Sequence, residues 1–196
     1  MQVSFSVGYN RDDHGAGMKP RHILVVTGAS GAGKTAAVRE LGQRGLLEVA
    51  CFEFDSIGVP AVDAMEREYG SGEAWQSAMT HLWIERLWNA HDAPRVAVLD
   101  AQTQPRFVVA GAAAVGANVR IVLFECSPVV RASRLRGARE QPELDTDRMR
   151  AWADFLHAEA VRLELTIVDT SALTRAEARE RLEAVVVELR DGARAR

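Results

Sequence analysis

Gly28-Ala-Ser-Gly-Ala-Gly-Lys-Thr35 decides how the rest of this 196-residue chain is read. It fits G-x-x-x-x-G-K-[ST] and lies between the apolar run His22-Ile-Leu-Val-Val-Thr27 and a helical pattern from Lys34 to Leu41, which ends near Gly42 and Gly45. Each part of that pattern has a physical task. Glycines let backbone N–H groups turn inward around phosphate oxygens, and the following helix adds the positive end of its dipole. Gly28, Ala29, Ser30, Gly31, Ala32, Gly33, Lys34 and Thr35 are therefore candidate residues for binding the phosphates of ATP. Lys34 brings a compact, mobile charge, and the Thr35 hydroxyl can face Mg²⁺. Of the 24 basic residues only Lys19 and Lys34 are lysines, so a lysine here goes against the chain's habit. The spacing is not G-x-G-x-x-G, which argues against a dinucleotide site.

Working outward, short apolar runs alternate with helical patterns. Strands are expected at 22–27, 46–55, 95–100, 119–126 and 165–170, with helices near 59–69, 73–91, 104–116, 128–140, 146–162 and 174–190. Such alternation implies an α/β fold with a parallel sheet and helices on both faces, and ligands beyond the carboxyl ends of the strands. Residues 21–191 read as one domain. Residues 1–20 read as a polar leader and 192–196 as a short tail.

Two acids fall at expected strand ends. Asp55 closes Val49-Ala-Cys-Phe-Glu-Phe-Asp and can take the proton of an acceptor hydroxyl; the bland alternative is a cap on the next helix. Glu53 should share its side of the strand, deeper in. Asp100 closes Val96-Ala-Val-Leu, an apolar run ending in an acid that suits a second Mg²⁺ ligand beside Thr35. Ser56, Gln102 and Arg106 are candidate acceptor contacts.

Further along, Arg131, Arg134, Arg136 and Arg139 crowd the helix opened by Ser127-Pro128. Cations on a closing flap would offset charge on a transferring phosphoryl group, and a solvated helix face is the plain alternative. Trp75, Met79, Leu82 and Trp83 recur at helical spacing, which favours core over ligand platform. Neither His81 nor His91 belongs to a metal-ligand spacing.

Composition bounds the rest. Hydrophobic residues make up 47% of the chain and charged residues 26%, an ordinary globular balance. A net charge of −3 offers no field for nucleic acid, and no run is apolar and long enough to span a membrane. Cys51 and Cys126, in a chain with no evident export signal, read as buried thiols, and the protein as cytoplasmic, a monomer or a homodimer.

GASGAGKT at 28–35, FDSIG at 54–58, VAVLD at 96–100, FECSPVVRASRLRGARE at 124–140 and VDTSAL at 168–173 together resemble the P-loop small-molecule and nucleotide kinases. Within that group the likeness runs to chloramphenicol phosphotransferase-like and zeta-toxin-like kinases. It covers most of residues 22–190. The resemblance implies a single P-loop NTPase domain with a five-stranded sheet ordered 2-3-1-4-5 and a short arginine-rich lid. It implies catalytic roles for Asp55 as base, Lys34, and Arg134 and Arg139 as lid arginines, with Arg131 near the nucleotide and Thr170, Ser171 and Ala172 bordering the adenine. The implied activity is transfer of the γ-phosphoryl group of Mg·ATP to a hydroxyl of a small molecule, an antibiotic or other natural product among the candidates. Residues 56–94 match no substrate-specific pattern. A nucleoside or nucleotide kinase, and a non-catalytic module that senses nucleotide, remain as alternatives.

Overall fold

The computed structural model describes residues 21–137 and 140–192. Five parallel strands, β1 (His22–Thr27), β2 (Val49–Glu53), β3 (Val96–Asp100), β4 (Val119–Glu125) and β5 (Thr166–Asp169), form one sheet in the order β2-β3-β1-β4-β5. The expected order is the observed one. β1 is central and pairs with β3 (Val26 opposite Asp100) and with β4 (Thr27 opposite Leu123). Its residues Ile23 to Val26 are at most 1% exposed, which explains why the run lacks any polar alternation.

Seven α-helices are found among the described residues, and five of them cover the two faces. α1 (Lys34–Gln43) and α7 (Arg175–Asp191) pack Val38, Leu41, Leu182 and Val186 against Leu24, Val26, Val98 and Phe124. On the other face α3 (Gly72–Asn89) and α4 (Pro105–Val115) set Trp75, Trp83, Ile84 and Val108 against Ile23, Val25, Leu99 and Ile121. There α6 (Asp147–Arg162) covers Leu123 with Leu156 and Ala160. The tryptophan stripe is thus core, as its spacing suggests. α2 (Val62–Tyr69) and α5 (Pro128–Arg136) complete the set. Local chemistry sets the helix starts: Ser71, Ser127 and Thr146 accept from backbone N–H groups in the first turn, and Thr174 with Glu177 forms a capping box.

Three boundaries differ from the sequence reading. The second strand is shorter than 46–55, because Glu48 adopts φ 63° before it and Phe54–Ile57 winds into a 3₁₀ turn after it. Asp55 therefore sits in that turn, not on the strand, and no longer alternates with Glu53. Gly58 (φ 92°) ends the turn and α2 starts only at Val62, so Asp55 is not its cap. The helix from Pro128 stops at Arg136, short of 140. Arg139, the leader 1–20 and residues 193–196 of the tail lie outside the described residues. Among the described residues no helix is long and apolar enough to cross a membrane. Cys51 and Cys126 are both free thiols, half-buried, not fully buried.

Candidate nucleotide and phosphoryl-transfer site

The loop after β1 closes on the end of β4. Gly28, Gly31 and Gly33 all hold positive φ, and a Cβ on Gly28 would lie 2.0 Å from the Phe124 carbonyl oxygen. Only glycine lets the loop come that near the sheet. Lys34 is 6% exposed and donates through Nζ to the carbonyl oxygens of Gly28 (2.7 Å) and Ala29 (3.2 Å). Its ammonium is held across the mouth of the loop, where a phosphate would replace carbonyl partners with charged ones.

Asp100, at the end of β3, is 8% exposed. Burial pushes its carboxyl above the ordinary range, while the charge of Lys34 and a hydrogen bond with Thr35 pull the other way; Glu53 and Asp55 push it further up. A cation held here would relieve that cost. The donor set is hard oxygen, which suits Mg²⁺. Among the described residues no group of three or more His, Cys, Asp or Glu can hold a metal. Thr35 and Asp100 could supply two oxygen donors to such an ion, with phosphate and water completing the shell, a pattern Mg²⁺ tolerates.

A cleft of about 440 Å³ opens beside the loop. Its walls come from Gly31 to Glu40, Arg134, Thr170 and Leu173 to Ala178. Arg134 donates to the Thr170 hydroxyl (2.9 Å), to the Thr170 carbonyl (2.7 Å) and to the Gly31 carbonyl (3.3 Å). It ties α5 to both walls and lines the cleft. Thr170 passes its own hydroxyl hydrogen toward the carbonyls of Ala32 and Glu125. Ser171 is placed differently: its hydroxyl donates to Asp169, accepts from the Ser127 N–H and holds the Asp169 carboxyl below its usual range. Arg131, 4% exposed, lays its stem over Gly31 and lines a small void behind the loop with Cys126.

On the other bank the 3₁₀ turn presents Asp55, which is exposed. Trp83 donates its indole N–H to the Phe54 carbonyl (3.1 Å), and Trp75 meets the Phe54 ring edge-on at 6.0 Å. Ser56 donates to the Glu53 carbonyl (2.6 Å). Glu53 itself, in register with Asp100, receives two bonds from Arg39 (2.7 and 3.2 Å), which hold its carboxyl low. The loop after β3 is braced by a buried set: Thr27 donates to the Thr103 carbonyl (2.6 Å), and the hydroxyls of Thr103 and Thr80 meet at 2.7 Å. Gln102 accepts from Ser30 (3.0 Å) through its side chain and from Gln76 (2.8 Å) through its carbonyl. Arg106 pairs with Glu73.

The structure thus gathers Gly28 to Thr35, Asp100, Arg134 and Thr170 around one loop, and sets Asp55, Ser56, Gln102 and Arg106 on the bank opposite the cleft. Sequence reasoning missed the Arg39–Glu53 pair, the Thr27–Thr103–Thr80 set and the cleft wall from Leu173 to Ala178. The capping box Thr174-x-x-Glu177 was a readable sign of a helix start at that wall.

No family model matches the sequence, and no curated protein matches it. Solved structures do. A gluconokinase from Sinorhizobium meliloti 1021 superposes with a TM-score of 0.63 at 16% identity, over 88% of this chain and 95% of that one. The tunicamycin resistance protein of Deinococcus radiodurans gives 0.59 at 22% identity, over 86% and 95%. A shikimate kinase from Acinetobacter baumannii, in complex with shikimate, gives 0.57 at 12% identity, over 86% and 94%. The chain shares its fold with these structures. At these identities the likeness concerns architecture, and chemistry has to be argued from the residues.

Proposed function

We propose that this protein is a P-loop kinase that transfers the γ-phosphoryl group of ATP to a hydroxyl group of a small molecule. One observation carries the reading: a complete phosphate loop separates a cleft of nucleotide size from a second bank that presents the Asp55 carboxylate. The cleft takes no wall residue from the 53–58 turn or the 101–106 loop, so that half of the rim is left for an acceptor. In an open parallel sheet both ligands belong at the carboxyl ends of the strands.

In this reading the nucleoside lies in the cleft along the wall made by Arg134, Thr170 and the Leu173–Ala178 segment. Backbone N–H groups of 28–35 and Lys34 hold the phosphates. Thr35 and Asp100 would hold Mg²⁺, which would supply neutralisation of the phosphate charge. Asp55 takes the proton from the acceptor hydroxyl as its oxygen bonds to the γ-phosphorus. The bond from that phosphorus to the bridging oxygen breaks, and ADP leaves with the bonding pair. Arg139 is assigned to the phosphoryl oxygens by the family resemblance. The balance of charge, −3 overall, argues against a nucleic-acid acceptor.

A screen of hydroxyl metabolites and natural products for ADP release, with mass spectrometry on each hit, tests the reading. The expected product is the acceptor plus one phosphoryl group. Tight ATP binding with no turnover across a broad panel would instead make the chain a nucleotide-sensing module. Turnover confined to nucleosides or nucleotides would make it a kinase of that class.

A further inference from the structure

We infer that the acceptor enters this site through an uncharged portion, a polyhydroxyl or amide-bearing molecule and not a carboxylate or phosphate ester. The inference rests on the kinase reading above and concerns the bank formed by the 54–57 turn and the 101–106 loop. A site that takes an anion away from water needs a cation, best a guanidinium in bidentate geometry, to replace the lost hydration. The two arginines nearest this bank, one of them shared with the cleft wall, each already face a carboxylate. Arg39 gives Nε and Nη2 to Glu53, and Arg106 is held by Glu73. The described arginines of the flap are occupied too: Arg134 by Thr170 and Gly31, Arg136 by Asp145 at 3.0 Å. Arg131 is buried beside the loop's far side.

What remains on the bank is neutral or negative. No described cation lies within ion-pair distance of Asp55. The Gln102 side chain accepts from Ser30 through Oε1, which leaves its amide N–H groups as donors. Gln76 spends an N–H on the Gln102 carbonyl and keeps Oε1 as an acceptor. Amide donors and acceptors at the strand ends that also carry one carboxylate suit hydroxyls and amides. An anion in the same place would meet the Asp55 carboxylate, which no described cation pairs, with Asp100 behind it. The two segments of this bank are also tied to one helix, because Gln76, Thr80 and Trp83 of α3 brace the 101–104 loop and the 54–57 turn together.

The test is binding to the Mg·ADP form of the full chain, which needs no turnover. Matched pairs of ligands are compared by thermal shift and calorimetry: sugars against their sugar acids and sugar phosphates, nucleosides against their monophosphates, and neutral glycosylated natural products against carboxylated ones. Neutral members are expected to bind at least tenfold more tightly than their anionic partners. Anionic members that bind as tightly or better overturn the inference, and so does a panel in which nothing binds. Glu73→Gln releases Arg106, so the preference for neutral over anionic partners should shrink by tenfold or more; an unchanged ratio also overturns it. Neutral ligands that bind Mg·ADP protein but give no ADP release from ATP leave the binding inference standing and defeat the kinase reading alone.

Discussion

Trp83 donates its indole N–H to the carbonyl oxygen of Phe54, the residue immediately before Asp55. A core side chain of α3 thus sets the height of the turn that carries the proposed base, across 29 positions of sequence. Trp83→Phe keeps a ring in the core but leaves that buried carbonyl without its donor. The expected cost is about 1–3 kcal/mol of stability, read by urea denaturation. Turnover should fall, while the affinity for Mg·ATP stays within about threefold, because the nucleotide cleft takes no wall from this turn. A drop in ATP affinity matching the loss of turnover would show that the turn serves the nucleotide instead.

Lys34 is the proposed cation of the phosphate loop. Mg·ATP should raise the melting temperature by mass action, and Lys34→Ala should abolish most of that rise. Its ammonium is bound to loop carbonyls, so the variant's own melting temperature should move less than the ligand shift it loses. An ATP-induced shift of parental size in Lys34→Ala removes the residue from the phosphate site.

Asp55 and Asp100 should fail in different ways. Asp55→Asn retains size and hydrogen bonding yet takes no proton at neutral pH; kcat is expected to fall by roughly 10²–10⁴ with Mg·ATP binding intact. Asp100→Asn weakens the Mg²⁺ shell, so its defect should show as a raised Mg²⁺ requirement, partly rescued by more metal. Steady-state rates over a magnesium titration separate the two. Parental turnover in Asp55→Asn would end its role as base.

Gly28→Ala places a methyl group 2.0 Å from the Phe124 carbonyl oxygen at φ 148°. The loop and β4 must then separate. A loss of about 2 kcal/mol or more is expected, together with loss of nucleotide binding. Differential scanning calorimetry with and without Mg·ATP reads both, and a variant indistinguishable from the parent would refute the close approach.

Cys51 gives a pH signature. Burial in β2 pushes its thiol up to about 11 from 9.0. A raised acid keeps its proton longer in the folded state, so the folded protein binds more protons than the unfolded one between those values. Its contribution is whole below pH 9 and is lost as pH climbs toward 11. Stability should decline over that interval, and less so in Cys51→Ala. The same burial predicts slow labelling of Cys51 by thiol reagents at neutral pH, accelerated by denaturant. Equal pH slopes in parent and variant would sink the assignment.

Much of this architecture could be read in advance where the signal was local. β1, an unbroken apolar run with glycines behind it, announced a buried central strand, and the spacing of Trp75, Met79 and Trp83 announced a core-facing helix. The order of the strands came from family likeness, not from periodicity. What escaped was long-range. Nothing near Thr27 indicates that its hydroxyl meets Thr103, 76 residues on, and nothing near Arg134 shows that Thr170 will hold it. Asp55 was read as a strand tip because Phe52 and Phe54 continue the apolar run; the structure instead buries Phe54 beneath α3, and the chain turns there. Such pairings are decided by tertiary packing, which leaves no trace in a short window.

The central place of β1 also sets the order in which the molecule can assemble. Its partners are residues 96–100 and 119–123, so no neighbour along the chain can flank it. On the ribosome the strand that carries the phosphate loop must wait, unpaired and with four apolar residues in a row, until more than half of the chain has been made. Early compaction belongs to the helices, whose contacts are local. The nascent first half exposes a sticky strand edge, making it a natural client for holding chaperones. The loop takes up its working shape late, when β4 arrives to press Phe124 against Gly28.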